Sequence, residues 1–306
     1  MKKLNIIFEA GGYEWGYKAI FRDFKTYCLQ NVKDIEFNCI CSTSLRNTTG
    51  MKYGGAGEKY GPMYLMVEHP ETKKYILVSY WDKLTDVINT FDLNNCVAVY
   101  SSAGGHTNDV DCQALDFNYI PISYVSMLAD HEAYIEKAFS TNTPSKKQEK
   151  LLFRGYLYLF RKYLSSDIRF NVTEEKIPFK DYIYDARSNY CNFNLNGAAE
   201  LNQRDIELLG IGTAMIRPKL VTKFHNPLIP DYHYVSVDYD DLRNSDVLSF
   251  YKKFSDRILE RYNSVKDDVD YLKFVGDNAR KWYVENGTIS ANVRILSELV
   301  DFNTLL

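Results

Sequence analysis

With 306 residues, 45% of them hydrophobic and 25% charged, the chain has ordinary globular composition and enough length for two domains of about 150 residues. A formal net charge of −3 excludes a general attraction to nucleic acid or to an anionic membrane surface. No apolar run reaches about 18 residues, and the six cysteines and five histidines lack C-x-x-C pairs or ligand spacing, so neither a membrane span nor a zinc site is expected.

The first residues carry two lysines and an apolar stretch too short for a signal peptide, so Leu4–Phe8 reads as a buried strand. Apolar residues at helical spacing follow over Tyr17–Asn31 and again over Lys83–Thr90. Short β-rich runs lie at Ile35–Ser42, Tyr64–Glu68, Tyr75–Tyr80, Cys96–Ser101 and Ile120–Tyr124. The glycine-rich stretch Tyr53–Gly61 lacks the Lys-Ser/Thr of a phosphate-binding P-loop and reads as a hairpin or loop. Ser140–Lys150 is polar and bears a proline, which makes it the linker candidate and divides the chain into domains 1–140 and 141–306. Scattered cysteines and the missing leader pattern lead to the expectation of a soluble, cytoplasmic protein.

The second half alternates more regularly. Helix Leu157–Leu164 precedes strand Tyr190–Leu195, helix Gln203–Leu209 and strands Ala214–Arg217 and Tyr234–Val237. Helices through Val247–Asn263, Asp267–Glu285 and Ile289–Asp301 close the chain, so the fold class is α/β with a parallel pattern. Within it, Asn194–Thr213 places a small-residue turn (Gly197, Ala198, Ala199) between a strand and a helix. Asn202 is its natural N-cap, Asp205 stands three residues on, and Gly210 is the expected stop. Exposed N–H groups at such a helix start favour an anion, and Arg204 in the first turn suits forked contact with phosphate oxygens. The same turn is also common in α/β proteins with no ligand. Arg154, set between Phe153 and Gly155 after an apolar run, and Arg161 read either as surface charges or as further anion contacts.

In order and spacing, F-R-G with a following arginine, then N-x-x-G-A-A with R-D-x-E-L-L, then P-x-x-P-D-Y-H-Y-V resemble the capsule-associated and protein O-glucosyl- and O-xylosyltransferase-like family. The resemblance covers about Leu151–Val237 well and the final helices loosely. It implies a GT-B fold, with two Rossmann-like domains facing a cleft, and inverting transfer from a UDP-sugar, xylose or glucose, to a hydroxyl of a glycan or glycoprotein. Arg154 and Gly155 then match the family's Arg-Gly, and Arg161 its next arginine. Gly197, Ala198 and Ala199 match its diphosphate loop, and Arg204 the arginine after it. Glu200 stands where animal members have a small or hydroxylic residue, which places a carboxylate near the donor hydroxyls. His233, in the matching Pro227–Tyr234 segment, is expected to be a structural hydrogen-bonder.

The first half resembles the family in Y-I-L-V-S-Y-W-D, whose aspartate, Asp82, corresponds to the catalytic base. Direct displacement at an anomeric carbon needs a carboxylate that takes the acceptor proton. Asp82 can also cap the helix that Lys83 begins, and the two roles are compatible. No metal is expected, because a helix dipole and basic side chains neutralise the leaving diphosphate in such a site. Two alternatives remain from the residues: a metal-dependent GT-A transferase built on the D-x-D of Asp109 and Asp111, and an inactive carbohydrate-binding protein that keeps the cleft. The 25 tyrosines and 17 phenylalanines suit core packing as well as sugar stacking.

Overall fold

A computed structural model describes residues 2–9, 16–42, 64–80, 87, 91, 93–102, 106–107, 110–111, 118–122, 129–157, 160–197, 200–222, 224–242 and 244–306. Asp82, Ala198, Ala199 and Asp109 lie outside the described residues, as do the glycine-rich stretch and most of the Lys83–Thr90 helix. The fold is mixed α/β with largely parallel sheets.

In the first half, β1 (Lys2–Glu9), β2 (Ile35–Ser42), β3 (Tyr64–Glu68), β4 (Tyr75–Ser79), β5 (Cys96–Ser101) and β8 (Asn118–Pro121) form a six-stranded sheet in the order β2-β1-β3-β4-β5-β8. All neighbours pair in parallel except β3, which runs antiparallel to both β1 and β4. β3 and β4 are buried at every position, their apolar runs Tyr64–Val67 and Tyr75–Val78 ending in Glu68, which pairs with Lys73 at 3.2 Å, and in Ser79. Between β5 and β8, β6 (His106–Thr107) and β7 (Val110–Asp111) pair as a small hairpin, so the D-x-D sequence ends in a two-residue strand.

Helix α1 (Gly16–Asn31) turns Ile20, Phe24 and Cys28 toward this sheet at four-residue spacing, all at zero exposure. The C-terminus completes the same core. Phe302 stacks on Phe24 at 6.5 Å and meets Phe37 edge-on at 5.2 Å, with Leu296, Val300 and Leu305 in the same cluster. Each fully buried side chain of this size contributes about 1.5–3 kcal/mol. Two polar contacts accompany them: Tyr80 donates to Asn292 Oδ1 at 3.1 Å, and Tyr100 to the Leu299 carbonyl at 2.8 Å.

The second half opens with α2 (Ala129–Thr141), whose Ile135 and Ala138 pack in the cluster beneath the later helices. The expected linker at 140–150 is held along its length: Ser145 and Lys146 N–H groups both reach the Ser188 carbonyl at 2.9 Å, and Lys146 bridges Asn189. Two β-α-β units follow. The first is β9 (Leu152–Arg154), α3 (Phe160–Ser165) and β10 (Asn171–Thr173), with β9 and β10 parallel. Its helix starts later than the sequence pattern predicts, and Leu157 N–H donates to Glu174 Oε1 at 2.9 Å. Helix α4 (Phe179–Ser188) escapes the sequence reading because Pro178 precedes it without any side-chain cap.

The second unit is β11 (Cys191–Phe193), α5 (Gln203–Gly210) and β12 (Ala214–Pro218), to which β13 (Val235–Val237) adds in parallel. Gly210 proves to be the last helical residue, not the stop: a Cβ there would lie 2.7 Å from Ile135 Cγ2. The left-handed turn falls at Gly212, φ +65°, where a side chain would be strained. Helices α6 (Val247–Val265), α7 (Val269–Trp282) and α8 (Ile289–Leu299) complete the chain, the last two joined by a π-turn over Tyr283–Gly287. Among the described residues no helix is long and apolar enough to cross a membrane.

Candidate active site

The parallel strands β9, β11 and β12 carry chemistry-bearing residues at their C-terminal ends, the edge where open α/β sheets bind ligands. β9 ends in Arg154 and Gly155. β11 is followed by Asn194–Gly197, α5 begins at Gln203, and β12 ends in Arg217 and Pro218. The edge of β9 touches that of β11 through Phe153 and Phe193, whose rings meet at 6.2 Å.

Helix α5 starts where its sequence says. The Asn202 side chain accepts from Arg204 N–H at 3.1 Å, and Asp205 Oδ2 accepts from Asn202 N–H at 2.7 Å, closing a capping box. This cap uses N–H groups that the sequence offers to an anion. The remaining positive charge comes from side chains, and here the structure brings two arginines together. Arg204 lies against the Phe153 ring at 4.8 Å and the Tyr182 ring at 5.2 Å, and its Nη2 donates to the Arg154 carbonyl. Gly155 lies against the same ring: a Cβ there would sit 3.3 Å from Phe153 Cε1, a tight contact, and 3.5 Å from Arg204 Nη2, an ordinary one. The Arg154 side chain, 20% exposed, pairs with Glu175 Oε2 at 2.7 Å. An ion pair with so exposed a carboxylate is worth little.

Arg161 faces the same region from α3. Its Nη2 donates to the carbonyls of Leu195 and Asn196 at 3.1 and 3.0 Å, and its guanidinium lies 4.7 Å from the Phe153 ring. Glu200 is buried, and its carboxylate accepts from the N–H groups of Val221 and of Thr222, the latter at 2.9 Å. It therefore anchors the chain after β12. Arg161, Arg204 and Gly155 thus lie around the Phe153 ring, next to Arg154 in sequence, whereas the Glu200 carboxylate faces away; a cavity of about 20 Å³ is lined in part by Arg154, Tyr182, Asn192 and Arg204. That volume accommodates on the order of one water molecule.

Sequence reasoning missed Arg217, which is fully buried. It forms an ion pair with Asp205 at 2.8 Å and donates to Asn196 Oδ1 and the Glu200 carbonyl, each at 2.8 Å. The available signal was a charge inside the apolar run Ala-Met-Ile-Arg-Pro. Burial pushes the Asp205 carboxyl up, while Arg217, the Asn202 N–H and the Asn194 amide at 2.6 Å pull against that rise. Farther along α5, Glu207 accepts from Gln203 Nε2 at 2.5 Å and lies 3.8 Å from His131 Nδ1. The His131 ring stacks flat on Phe179 at 3.5 Å. Burial pushes the Glu207 carboxyl up to about 7 and lowers His131.

His233 is nearly buried and its Nδ1 accepts from the Ile229 N–H at 2.8 Å; burial lowers its pKa to about 4. Two residues before Asp82, Tyr80 is buried and tied to α8. The side chain of Asp111 is not among the described ones. Among the described residues no group of three or more His, Cys, Asp or Glu is placed to hold a metal ion.

No protein-family model and no curated protein sequence matches this chain. Among solved structures it is similar to a sucrose-phosphate synthase from Thermosynechococcus elongatus, at 14% identity and TM-score 0.38, over 68% of this chain and 58% of that one. It is also similar to a glycosyltransferase from Rickettsia africae, at 10% identity and TM-score 0.38, over 66% of this chain and 62% of that one. The match spans less than two thirds of the length of either protein.

Proposed function

We propose that this chain is an inverting glycosyltransferase of the GT-B type, with the donor UDP-sugar held by residues 141–306 and the acceptor by residues 1–140. The observation that carries the reading is the contact of the Arg204 guanidinium with the Arg154 carbonyl at the C-terminal end of the parallel strand β9. Two arginines on one strand edge suit a diphosphate, which takes charge-assisted and forked hydrogen bonds. In this reading Arg154, Gly155, Arg161, Gly197, Ala198, Ala199 and Arg204 surround the nucleotide diphosphate. Glu200 shapes the neighbouring turn, its carboxylate already committed to backbone N–H groups.

Asp82 takes the proton from an acceptor hydroxyl of a glycan or glycoprotein. The freed oxygen attacks the anomeric carbon of xylose or glucose, and the bond from that carbon to the diphosphate breaks with inversion. Basic side chains stabilise the charge on departing UDP, and no divalent cation takes part. The site of action is the cytoplasm. The test is a panel of nucleotide sugars and nucleoside diphosphates read by thermal shift. A ligand at 100 times its dissociation constant stabilises by about 2.7 kcal/mol, so UDP-xylose or UDP-glucose is expected to raise Tm and then be turned over with a suitable acceptor. A protein indifferent to the whole panel would mean that the cleft is not a donor site.

A further inference from the structure

Arg217 is a charged side chain at zero exposure in the middle strand of a three-stranded sheet, where a hydrophobic residue is the ordinary occupant. Its partner Asp205 is equally buried. Taking both charges out of water costs several kcal/mol per ion, and an apolar pair of like volume serves stability as well or better. Stability alone therefore does not account for the pair.

The remaining donors of Arg217 do. Nη2 reaches Asn196 Oδ1 and the Glu200 carbonyl, both at 2.8 Å, and Nε reaches the Pro218 carbonyl at 3.1 Å. In the sequence Asn196 and Glu200 stand on either side of Gly197, Ala198 and Ala199. The ion pair to Asp205 ties the same guanidinium to the cap of α5. From the opposite side Arg161 holds the carbonyls of Leu195 and Asn196.

We infer that Arg217 is a positioning residue: one guanidinium ties Asn196, after β11, and Glu200, before α5, to the Asp205 cap of α5. Asp205 sets the guanidinium's orientation and keeps its charge buried. With the donor-site reading added, on which this second part rests, Asn196 and Glu200 so held flank the place of the nucleotide diphosphate. Arg217 touches no substrate and acts through the backbone it holds. Such preorganisation removes the cost of ordering these residues when the ligand arrives.

The test compares the full chain with its Arg217→Lys variant, which keeps a cation opposite Asp205 and loses the fork to Asn196 and Glu200. Hydrogen exchange of the ligand-free proteins is followed peptide by peptide. In the variant, amides of residues 195–202 are expected to exchange about tenfold faster or more, with the β12 and α7 amides unchanged, as for a local opening. UDP affinity is then measured by calorimetry, and donor KM is expected to rise about tenfold with kcat altered far less, the pattern of lost uniform binding. Unchanged exchange at 195–202, or acceleration spread evenly through the sheet, overturns the positioning role. Should Arg217→Lys fail to fold, Asn196→Ala removes one of its contacts and leaves the buried pair intact. Faster exchange confined to residues 195–202 in that variant supports the role, and unchanged exchange overturns it. A parent protein that binds no UDP overturns the donor reading, while the exchange pattern still decides whether Arg217 holds these residues.

Discussion

Arg204, in the first turn of α5, donates to the backbone carbonyl of Arg154 at the end of β9, so two segments 50 residues apart meet through one guanidinium. The contact sets Arg204 against the Phe153 and Tyr182 rings and leaves the Arg154 side chain turned to an exposed glutamate. Arg204→Ala is expected to weaken UDP binding by about 1.5–3 kcal/mol, the range for hydrogen bonds to charged groups. It also removes a ring contact worth about 0.5–2 kcal/mol, so its Tm falls too. Arg154→Ala is expected to lower UDP affinity comparably and to leave Tm nearly unchanged, since its partner Glu175 is 68% exposed. Calorimetry alongside melting curves checks both; unaltered affinity in the two variants would remove the donor assignment.

For the proposed base, Asp82→Asn keeps size and hydrogen bonding and removes proton acceptance. Turnover is expected to fall about 10²–10⁴-fold, the worth of a positioned base, with UDP affinity hardly moved. Asparagine is as good a helix cap as aspartate, so a capping role predicts a near-normal enzyme instead. Steady-state kinetics at saturating donor separate the two.

Metal dependence divides the proposed mechanism from its rival. With EDTA present and no added cation, the transfer rate is expected to stay within about twofold of the untreated enzyme, because in the proposed mechanism arginines rather than a cation face the leaving group. Loss of turnover on chelation, restored by Mn²⁺ or Mg²⁺, would transfer the donor role to Asp109 and Asp111.

Glu207 makes stability depend on pH. Folding raises its carboxyl from an ordinary 4.5 to about 7. Between those values the folded state holds a proton that the unfolded chain has released, so this group's contribution to stability falls as pH rises through that window and is constant above it. Glu207→Gln abolishes the dependence. The variant is expected to gain on the parent by on the order of a few kcal/mol at pH 8, and the gain should vanish toward pH 4.5. His131, lowered by burial, contributes the opposite slope below about 6.5. Urea denaturation across this range measures it, and a difference independent of pH would refute the raised carboxyl.

What the sequence determined by itself was local. The Asn202 cap, its Asp205 partner, the apolar runs of β3 and β4, and the stripe of α1 each depend on residues a few positions apart, whose preferences are fixed by backbone chemistry and side-chain period. The three-residue strands β9 and β10 and the uncapped helix α4 carry too little of that local signal to stand out. Only the tertiary structure decided the partners. Arg217 acquires its place because β11, β12 and the α5 cap converge on one buried point; Glu200 faces the chain after β12; and Phe302 closes a core begun at β1. Arg204 illustrates the difference: its place in the first turn of a helix is legible from its neighbours, whereas its contact with the Arg154 carbonyl exists only because β9 and β11 lie side by side, and such long-range adjacency is set by the packing of whole elements rather than by any local preference.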